Sequence, residues 1–269
     1  MAVTEVRLGP EQLGGCAALS AAAGWNQNEA DWRLMLELGE GWGLQLRDGT
    51  LAASTLVIPY GAFAWVSMVL VLPGHRRKGY ASRLLRTAID ALARANLAPV
   101  LDATPAGRAV YRQEGFRDAW AFKRYVLNAA KKAGKGEARP LREADWGWML
   151  ELDRVAFGGN REPLLRSLAR RLPAAALVIE GKGFVLGRDG REARQLGPLV
   201  ARGPDAARSL LEAALARLPG PIYADIVDHA GLAEPGLAAQ RPYMRMVRGA
   251  APAPGEKDKV FLVAGPELG

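Results

Sequence analysis

Three adjacent cations occur where the sequence predicts that a strand meets a helix. Arg76, Arg77 and Lys78 precede Gly79 in the stretch V71-L-P-G-H-R-R-K-G-Y-A-S-R-L-L85. Glycine lets the backbone bend tightly or approach a ligand closely. The first amides of a helix lack internal acceptors and carry partial positive charge. These residue types predict an anion cradle, most simply for a diphosphate; the alternative is an ordinary basic turn.

Two motifs in this half resemble the GNAT N-acyltransferase superfamily. The basic turn is similar to its acetyl-CoA-binding signature, whose core is [Q/R]-x-x-G-x-[G/A], as V71-x-P73-x-x-R76-x-x-G79-x-A81. About 30 residues later, the second family landmark is intact as Y111-R-Q-E-G-F116. The resemblance covers most of residues 1–130. With G24-W-N26, L101-D-A-T-P105 and a divergent second half, the chain also resembles a bacterial tandem-GNAT subgroup.

The resemblance implies acetyl-CoA as the co-substrate, bound along the end of a splayed strand. Free backbone groups from Met68 to Val71 would pair with the amides of pantetheine, and amides from about Arg76 to Ser82 would hold the pyrophosphate. Side-chain identity matters little for such contacts, which agrees with the glycine and alanine of the signature. The implied cofactor-binding residues are Met68, Val69, Leu70, Val71, Arg76, Arg77, Lys78, Gly79, Tyr80, Ala81 and Ser82.

Tyr111 is the catalytic acid that the resemblance implies, because an equivalent tyrosine in the family lies near the sulfur of CoA. A phenol with a pKa near 10 can protonate the departing thiolate as it forms. The alternative is a tyrosine that packs at the boundary of helix and sheet. Thr104 stands where many relatives carry asparagine, but it can cap a helix that has Pro105 at its first position.

The acceptor side requires a base, because an amine must lose a proton before or during attack on the thioester. No glutamate occurs on the long strand over 63–72, where many relatives place one. Asp102, at the end of another strand, is the predicted base. Its alternative role is a structural hydrogen-bond acceptor.

Four further residues are predicted to bind the acceptor. Trp25 and Asn26 lie between two helical segments, and Trp65 and Ser67 alternate with apolar residues along the long strand. Trp25 could form a wall against an apolar or cationic substrate. Alternatively, it could be an aromatic staple in the first pair of helices.

The elements that position these residues follow from hydrophobic periodicity. Strands are predicted over 51–58, 63–72, 98–104 and about 120–127. The helix after the basic turn carries an apolar stripe of Ala81, Leu84, Leu85, Ala88, Ile89 and Leu92. A short helix over 108–114 ends at Gly115, which can adopt the left-handed conformation. Strands that alternate with helices indicate an α/β layered structure.

The two halves of the chain look like copies of one plan. Asp102 is followed 22 residues later by Arg124, and Asp225 is followed 20 residues later by Arg245. With two more matched segments in the same order, this pattern indicates an internal duplication of about 130 residues. The predicted organisation is an N-terminal GNAT acetyltransferase domain over 1–130, a linker over 131–138 and a C-terminal degenerate GNAT-like domain over 139–269.

The predicted fold class is α/β (α+β layered), with two GNAT-like domains. Each is expected to have a mixed, mostly antiparallel central sheet flanked by helices, with a splayed strand pair in the first. The second repeat lacks R-x-x-G-x-A. It is therefore expected to keep the fold without standard CoA binding, and to complete the acceptor cleft or brace the first half.

Composition limits the classes of protein to which the chain can belong. Hydrophobic residues make up 49% of the 269 residues, enough for a substantial core. The formal charge of +8 is spread along the chain, so no nucleic-acid arm is predicted. One cysteine, Cys16, and two histidines in separate halves supply no metal ligand set. The absence of a signal-peptide pattern and of a bilayer-length apolar run fits a cytoplasmic protein.

These observations predict an acetyl-CoA-dependent N-acetyltransferase that transfers an acyl group directly to a primary amine. The expected partner is a small-molecule or protein amine, with no nucleic acid, membrane or metal, and a homodimer stays open. The alternative is a non-catalytic acyl-CoA-binding sensor or interaction protein. Tyr111 favours the enzyme, because binding alone would not require it.

Overall fold

Helices and strands alternate through both halves of the chain. The computed structural model describes residues 3–127, 137–232, 239–250 and 252–269. Most of the expected linker over 131–138 lies outside the described residues. The helices are α1 (Leu13–Ala22), α2 (Glu29–Leu38), α3 (Tyr80–Arg94), α4 (Pro105–Gln113), α5 (Trp146–Phe157), α6 (Glu162–Arg171) and α7 (Pro204–Leu215). Within the described ranges, no helix combines the length and apolar content that crossing a bilayer requires.

The strands of both halves join into one mixed sheet. They are β1 (Val3–Arg7), β2 (Glu40–Leu46), β3 (Leu51–Pro59), β4 (Phe63–Val71), β5 (Ala98–Ala103), β6 (Phe116–Leu127), β7 (Arg139–Pro140), β8 (Leu177–Ile179), β9 (Gly183–Arg188), β10 (Arg194–Ala201), β11 (Ile222–Val227), β12 (Ala239–Arg248) and β13 (Val260–Leu262). Their order is β1-β2-β3-β4-β5-β12-β6-β11-β13-β10-β9-β8-β7. The pairs β4–β5 and β10–β11 are parallel, and the others are antiparallel. This sheet, flanked by helices, confirms the predicted class.

Each half places one strand among the strands of the other half. β12 pairs with β5 on one side and with β6 on the other, and β6 also pairs with β11. The sequence predicted a sheet in each domain, but it did not predict this exchange. It also placed the start of β6 near Trp120, whereas the strand begins at Phe116, because Arg248 of β12 pairs with it there.

Two buried ion pairs cross between the exchanged strands. Arg124 on β6 donates to both carboxylate oxygens of Asp225 on β11, at 2.8 and 2.7 Å. Arg245 on β12 donates to both oxygens of Asp102 on β5, each at 3.0 Å. None of the four side chains is more than 6% exposed. The repeated Asp–Arg spacing in the sequence therefore reflects contacts between the halves and not within them.

Helix α3 packs on the first part of the sheet through its predicted stripe. Its buried residues are Leu84, Leu85, Ala88, Ile89 and Leu92. Burial of each large aliphatic side chain contributes about 1.5–3 kcal/mol. Ala81 is only half-buried, because it lies at the start of the helix. A larger core cluster extends through both halves and includes Leu8 and Leu268.

Helix α4 begins at Pro105, as the predicted Thr104 cap requires, three residues before the predicted helical segment 108–114. The Thr104 hydroxyl accepts a hydrogen bond from the Gly107 N–H at 3.3 Å, so Thr104 caps the helix as the sequence predicted. Gly115 follows the helix with φ of 85°, which confirms the predicted left-handed conformation. The two ends of this short helix are thus fixed by local signals.

Candidate active site

The parallel strands β4 and β5 separate along their length. They pair only over 63–65 and 98–100. Beyond this point, β4 has a β-bulge opposite β3, in which Met68 has φ of 51°. The Ser54 hydroxyl donates to the Met68 carbonyl at 2.7 Å and holds the bulge. The edge of β4 past the bulge is therefore open towards β5, which confirms the predicted splayed pair.

An open groove fills the gap between the two strands. Its cavity volume is about 880 Å³, which lies in the range of small-molecule and cofactor sites. The predicted cofactor-binding residues that line it are Val69, Leu70, Val71, Arg76, Arg77, Gly79, Tyr80, Ala81 and Ser82. Met68 lines a smaller inner pocket next to the groove. Lys78 is exposed and lines neither cavity.

The turn before α3 has the backbone geometry of an anion cradle. Arg77 and Gly79 have φ of 60° and 76°, both left-handed. The helix begins at the next residue, Tyr80, without a side-chain cap. The Arg83 N–H makes a helical bond to the Gly79 carbonyl at 2.9 Å. The amides of the turn ahead of that bond have no helical acceptor and can bind an anion.

Tyr111 lies where the groove meets the inner pocket, and it lines both. Its ring packs edge-on against Phe116, with 6.0 Å between the centroids. Burial raises the pKa of Tyr111 to about 12. Packing and acid catalysis are compatible at this position, and the catalytic role stays a prediction.

The inner pocket is small and is formed by both halves. Its cavity volume is about 40 Å³, enough for about two or three water molecules or a group of similar size. The first half contributes Trp25, Gln27, Val66, Ser67, Met68, Val69, Asp102, Thr104, Tyr111 and Arg124. The second half contributes Arg241, Tyr243, Pro266 and Glu267. The sequence did not predict a role here for Gln27, Arg241, Tyr243 or Glu267.

Two of the four predicted acceptor residues, Trp25 and Ser67, line the inner pocket. Asn26 lies outside it. Its side-chain carbonyl accepts hydrogen bonds from the amides of Glu192 and Ala193, at 2.9 and 3.0 Å. The structure therefore gives Asn26 a role in joining the two halves, and its predicted contact with the acceptor stays a prediction.

The segment after β13 carries Glu267 into the inner pocket. The Trp65 indole N–H donates to the Pro266 carbonyl at 3.0 Å, and the Tyr60 hydroxyl donates to the Leu268 carbonyl at 3.1 Å. Trp65 is fully buried and lines neither cavity, so it anchors this segment, and its predicted contact with the acceptor stays a prediction. No local signal in the sequence marks Glu267 as part of a site in the first half.

Asp102 lines both cavities, but both oxygens of its carboxylate are bound to Arg245. Its side chain is 0% exposed and accepts both hydrogen bonds of Arg245, whereas the residue as a whole is half-buried because its backbone is accessible. Burial raises the pKa of Asp102 to about 6, and the Arg245 guanidinium opposes part of the rise. This geometry favours the structural alternative for Asp102, and its role as a base stays a prediction.

Two family models match the chain, one in each half. "Acetyltransferase (GNAT) family" matches residues 18–116, and "Acetyltransferase (GNAT) domain" matches residues 149–262. Both halves therefore have the family's pattern, although the motifs of the basic turn and Tyr111 occur only in the first. The matched ranges lie inside the predicted domains, whose exact boundaries stay a prediction.

Two curated proteins are similar over most of the chain. The uncharacterized N-acetyltransferase YitH of Bacillus subtilis (strain 168) is 25% identical over 230 residues, 82% of this chain and 81% of the relative. Holothin acyltransferase of Pseudoalteromonas sp. (strain SANK 73390) is 28% identical over 244 residues, 86% of this chain and 82% of the relative. Both similarities span the two halves.

Solved structures share the fold. A structure from Pyrococcus horikoshii has a TM-score of 0.85 at 21% identity and covers 99% of this chain and 96% of its own. The GCN5-related N-acetyltransferase from Sphaerobacter thermophilus has a TM-score of 0.67 at 15% identity, covering 94% of this chain and 98% of its own. At these sequence identities, the similarity shows a shared fold and gives no information about the substrate.

Proposed function

The chain belongs to the GNAT acetyltransferase superfamily and carries two of its domains in tandem, and we propose that it is an acetyl-CoA-dependent N-acetyltransferase. In this proposal, the first half binds the thioester, and the acyl group passes directly to a primary amine. The observation that carries the proposal is the position of Tyr111, where a cofactor-sized groove meets a small inner pocket. A thioester in the groove and an amine in the pocket would meet at this residue.

Three features of the groove support binding of a diphosphate-bearing thioester. The open edge of β4 can pair with the amides of pantetheine, as the family resemblance implies. The first amides of α3 can donate hydrogen bonds to the pyrophosphate oxygens. Arg76 and Arg77 line the same groove and add positive charge for an anionic ligand.

Tyr111 is the proposed acid for the departing thiolate. Because burial raises its pKa to about 12, the phenol keeps its proton at neutral pH and can donate it as negative charge develops on sulfur. Holding thioester and amine in one geometry can supply up to about 7–11 kcal/mol of the barrier reduction. Cys16 is buried and lines neither cavity, which supports direct transfer over an acyl-cysteine route.

The test is release of free thiol from acetyl-CoA in the presence of a panel of primary amines. We expect the wild-type protein to release thiol with at least one amine. Tyr111→Phe should lower kcat by about 10²- to 10⁴-fold, while calorimetry should find little change in CoA affinity. Tyr125→Phe is the matched control, because Tyr125 is a buried tyrosine on β6 that lines neither cavity.

Two outcomes would contradict parts of this proposal. Binding of acetyl-CoA without turnover of any amine would favour a non-catalytic sensor. Equal turnover by wild type and Tyr111→Phe would remove Tyr111 from the proton transfer, while leaving the transferase itself in place.

A further inference from the structure

Three buried oxygen atoms of the inner-pocket residues have no hydrogen-bond partner in the described part of the chain. They are Oε1 of Gln27, Oγ of Ser67 and Oε2 of Glu267. These residues are 3%, 7% and 2% exposed, and all three line the pocket. A buried polar group left without a partner costs about 1–3 kcal/mol. Because all three residues line one cavity, a ligand bound in it is the candidate partner for these atoms.

The chemistry of these atoms indicates the kind of ligand. Carboxylate and amide oxygens only accept hydrogen bonds, and a serine hydroxyl can accept one as well. A group that satisfies all three must donate several hydrogen bonds, and the carboxylate favours a positive charge on it. A primary ammonium has three donors on one charged nitrogen. A cavity of about 40 Å³ has room for an ammonium head and little more.

Glu267 is held by one oxygen, and its other oxygen has no hydrogen-bond partner among the described residues. Its Oε1 forms an ion pair with Arg188, which also donates to Asp31 at 2.6 Å. Asp102, in contrast, gives both of its oxygens to Arg245. Among the described residues that line the pocket, Glu267 is thus the carboxylate that is both fixed in position and incompletely bonded.

We propose that the ammonium group of the acceptor binds to Glu267 Oε2, Gln27 Oε1 and Ser67 Oγ, and that Glu267 is the catalytic residue that accepts its proton. This inference rests on the proposed N-acetyltransferase function. It gives the second half a direct part in the reaction, because its C-terminal segment supplies the base for a thioester held by the first half. The acceptor class is a primary amine with an unhindered carbon next to nitrogen.

The proposed step balances with two protein groups. Glu267 takes one proton from the ammonium, and the nitrogen lone pair attacks the carbonyl carbon of the thioester. The C–N bond forms, the C–S bond breaks, and the sulfur takes the phenolic proton of Tyr111. A second proton from nitrogen replaces the one that Tyr111 gave, and Glu267 releases the first to solvent. The products are an amide, a free thiol and one proton.

Glu267→Gln tests this assignment, because the amide keeps the shape of the side chain and removes its charge. With acetyl-CoA and amines that include n-butylamine, the kcat/KM for the amine should fall about 100-fold or more, without loss of CoA affinity. Glu267→Asp should recover part of the activity. Glu212→Gln, an exposed substitution on α7, should match wild type.

Glu267→Gln removes the charge that pairs with Arg188, so it could also destabilise the fold. The melting temperature of each variant is therefore measured as a control. Ser67→Ala provides a second variant that breaks no ion pair. Loss of one hydrogen bond to the ammonium should raise KM for the amine about 5- to 10-fold. Wild-type kinetics in folded Glu267→Gln and in Ser67→Ala would overturn the proposal.

A crystal of the CoA complex soaked in n-butylamine hydrochloride gives a readout that does not depend on turnover. The nitrogen should lie within about 3 Å of Glu267 Oε2 in the wild type and should be absent from the pocket in Glu267→Gln. Nitrogen density elsewhere, or no density in the pocket, would overturn the proposal even where acetyl transfer is observed. Failure of the wild type with every amine would count against the proposed function, and the soak would still decide the ammonium site.

Discussion

The phenol of Tyr111 is positioned by a glycine one helical turn earlier. A Cβ atom at Gly107 would lie 2.8 Å from the ring of Tyr111, closer than such carbon atoms approach each other. Phe116 contacts the ring from the sheet side. The Y-x-x-x-G-F pattern therefore identifies the proposed acid, and the missing side chain at Gly107 leaves room for its ring between the groove and the inner pocket.

Asp102 provides a test at the residue scale through the pH dependence of stability. Desolvation raises its folded-state pKa from 3.8 to about 6, with Arg245 opposing part of the rise. The folded state therefore binds this proton more tightly than the unfolded chain does. The resulting stabilisation is complete below the unfolded pKa and is lost as pH rises through 6, by about 3 kcal/mol in total.

Asp102→Asn is expected to remove this pH dependence. Between pH 5 and 7, the free energy of unfolding should fall by about 1 kcal/mol more in the wild type than in the variant. Urea denaturation at the two pH values measures the difference. Identical pH slopes would contradict the titration of a buried Asp102. A folded variant that binds CoA normally but has no turnover would restore Asp102 as the candidate base.

Sequence motifs predicted most of the residues that line the groove, because the features that shape this part of the site are local. The left-handed Gly79, the start of α3 and Tyr111 each depend on residues within a few positions of one another. The acceptor side depends on long-range contacts: Glu267 stands 200 residues after Ser67. The contacts of Asn26 could not be predicted for the same reason. Its side chain accepts hydrogen bonds from two backbone amides that lie 166 and 167 residues later in the chain.

At the scale of elements, the turn into α3 gives a prediction about cofactor affinity. Gly79→Asp should weaken CoA binding about 10- to 100-fold, because a negative charge enters an anion cradle. Open space surrounds the position, since an added Cβ would meet nothing within 4 Å. Aspartate also tolerates left-handed φ better than most residues do. Isothermal calorimetry with CoA measures the change.

Gly181→Asp is the matched control for this substitution. Gly181 also has a left-handed φ, 65°, and open space around it, but it lies in the second half between β8 and β9. The control carries the same backbone strain and the same added charge, and it should leave CoA affinity unchanged. Unchanged affinity in a folded Gly79→Asp variant would place the diphosphate elsewhere.

The ends of helices and strands were predicted where nearby residues determine them. They were missed where a strand depends on pairing with a segment far along the chain. The cap residues of α4 fixed its ends, and the stripe of α3 identified its buried face. The start of β6 could not be found in the same way, because residues 116–119, F-R-D-A, lack a strand pattern. This part is a strand because β12 of the other half pairs with it.

At the scale of the whole molecule, the exchange of strands makes each half incomplete without the other. β5 and β6 of the first half do not pair directly, because β12 lies between them. The two crossed ion pairs put one partner of each pair in each half. The larger core and the inner pocket also draw on both halves. The two halves therefore share one sheet, one larger core cluster and one inner pocket.

The first half alone is expected not to fold stably. A fragment of residues 1–130 would leave Asp102 and Arg124 without their partners, and breaking a buried pair costs about 3–5 kcal/mol. Two such losses are comparable to the total stability of a typical domain, about 5–15 kcal/mol. The fragment would also lose both neighbours of β6. We expect no cooperative transition in its thermal melt followed by circular dichroism.

Co-expression of residues 1–130 with residues 131–269 is the matched experiment, because it restores every contact except the peptide link. The two fragments should purify as a 1:1 complex that melts in a single transition. Because the inner pocket needs both halves, the complex should release thiol from acetyl-CoA with an amine, while neither fragment alone should. A lone first-half fragment that melts cooperatively near the full-length temperature would contradict this view, since the exchanged strand would then add little to its stability.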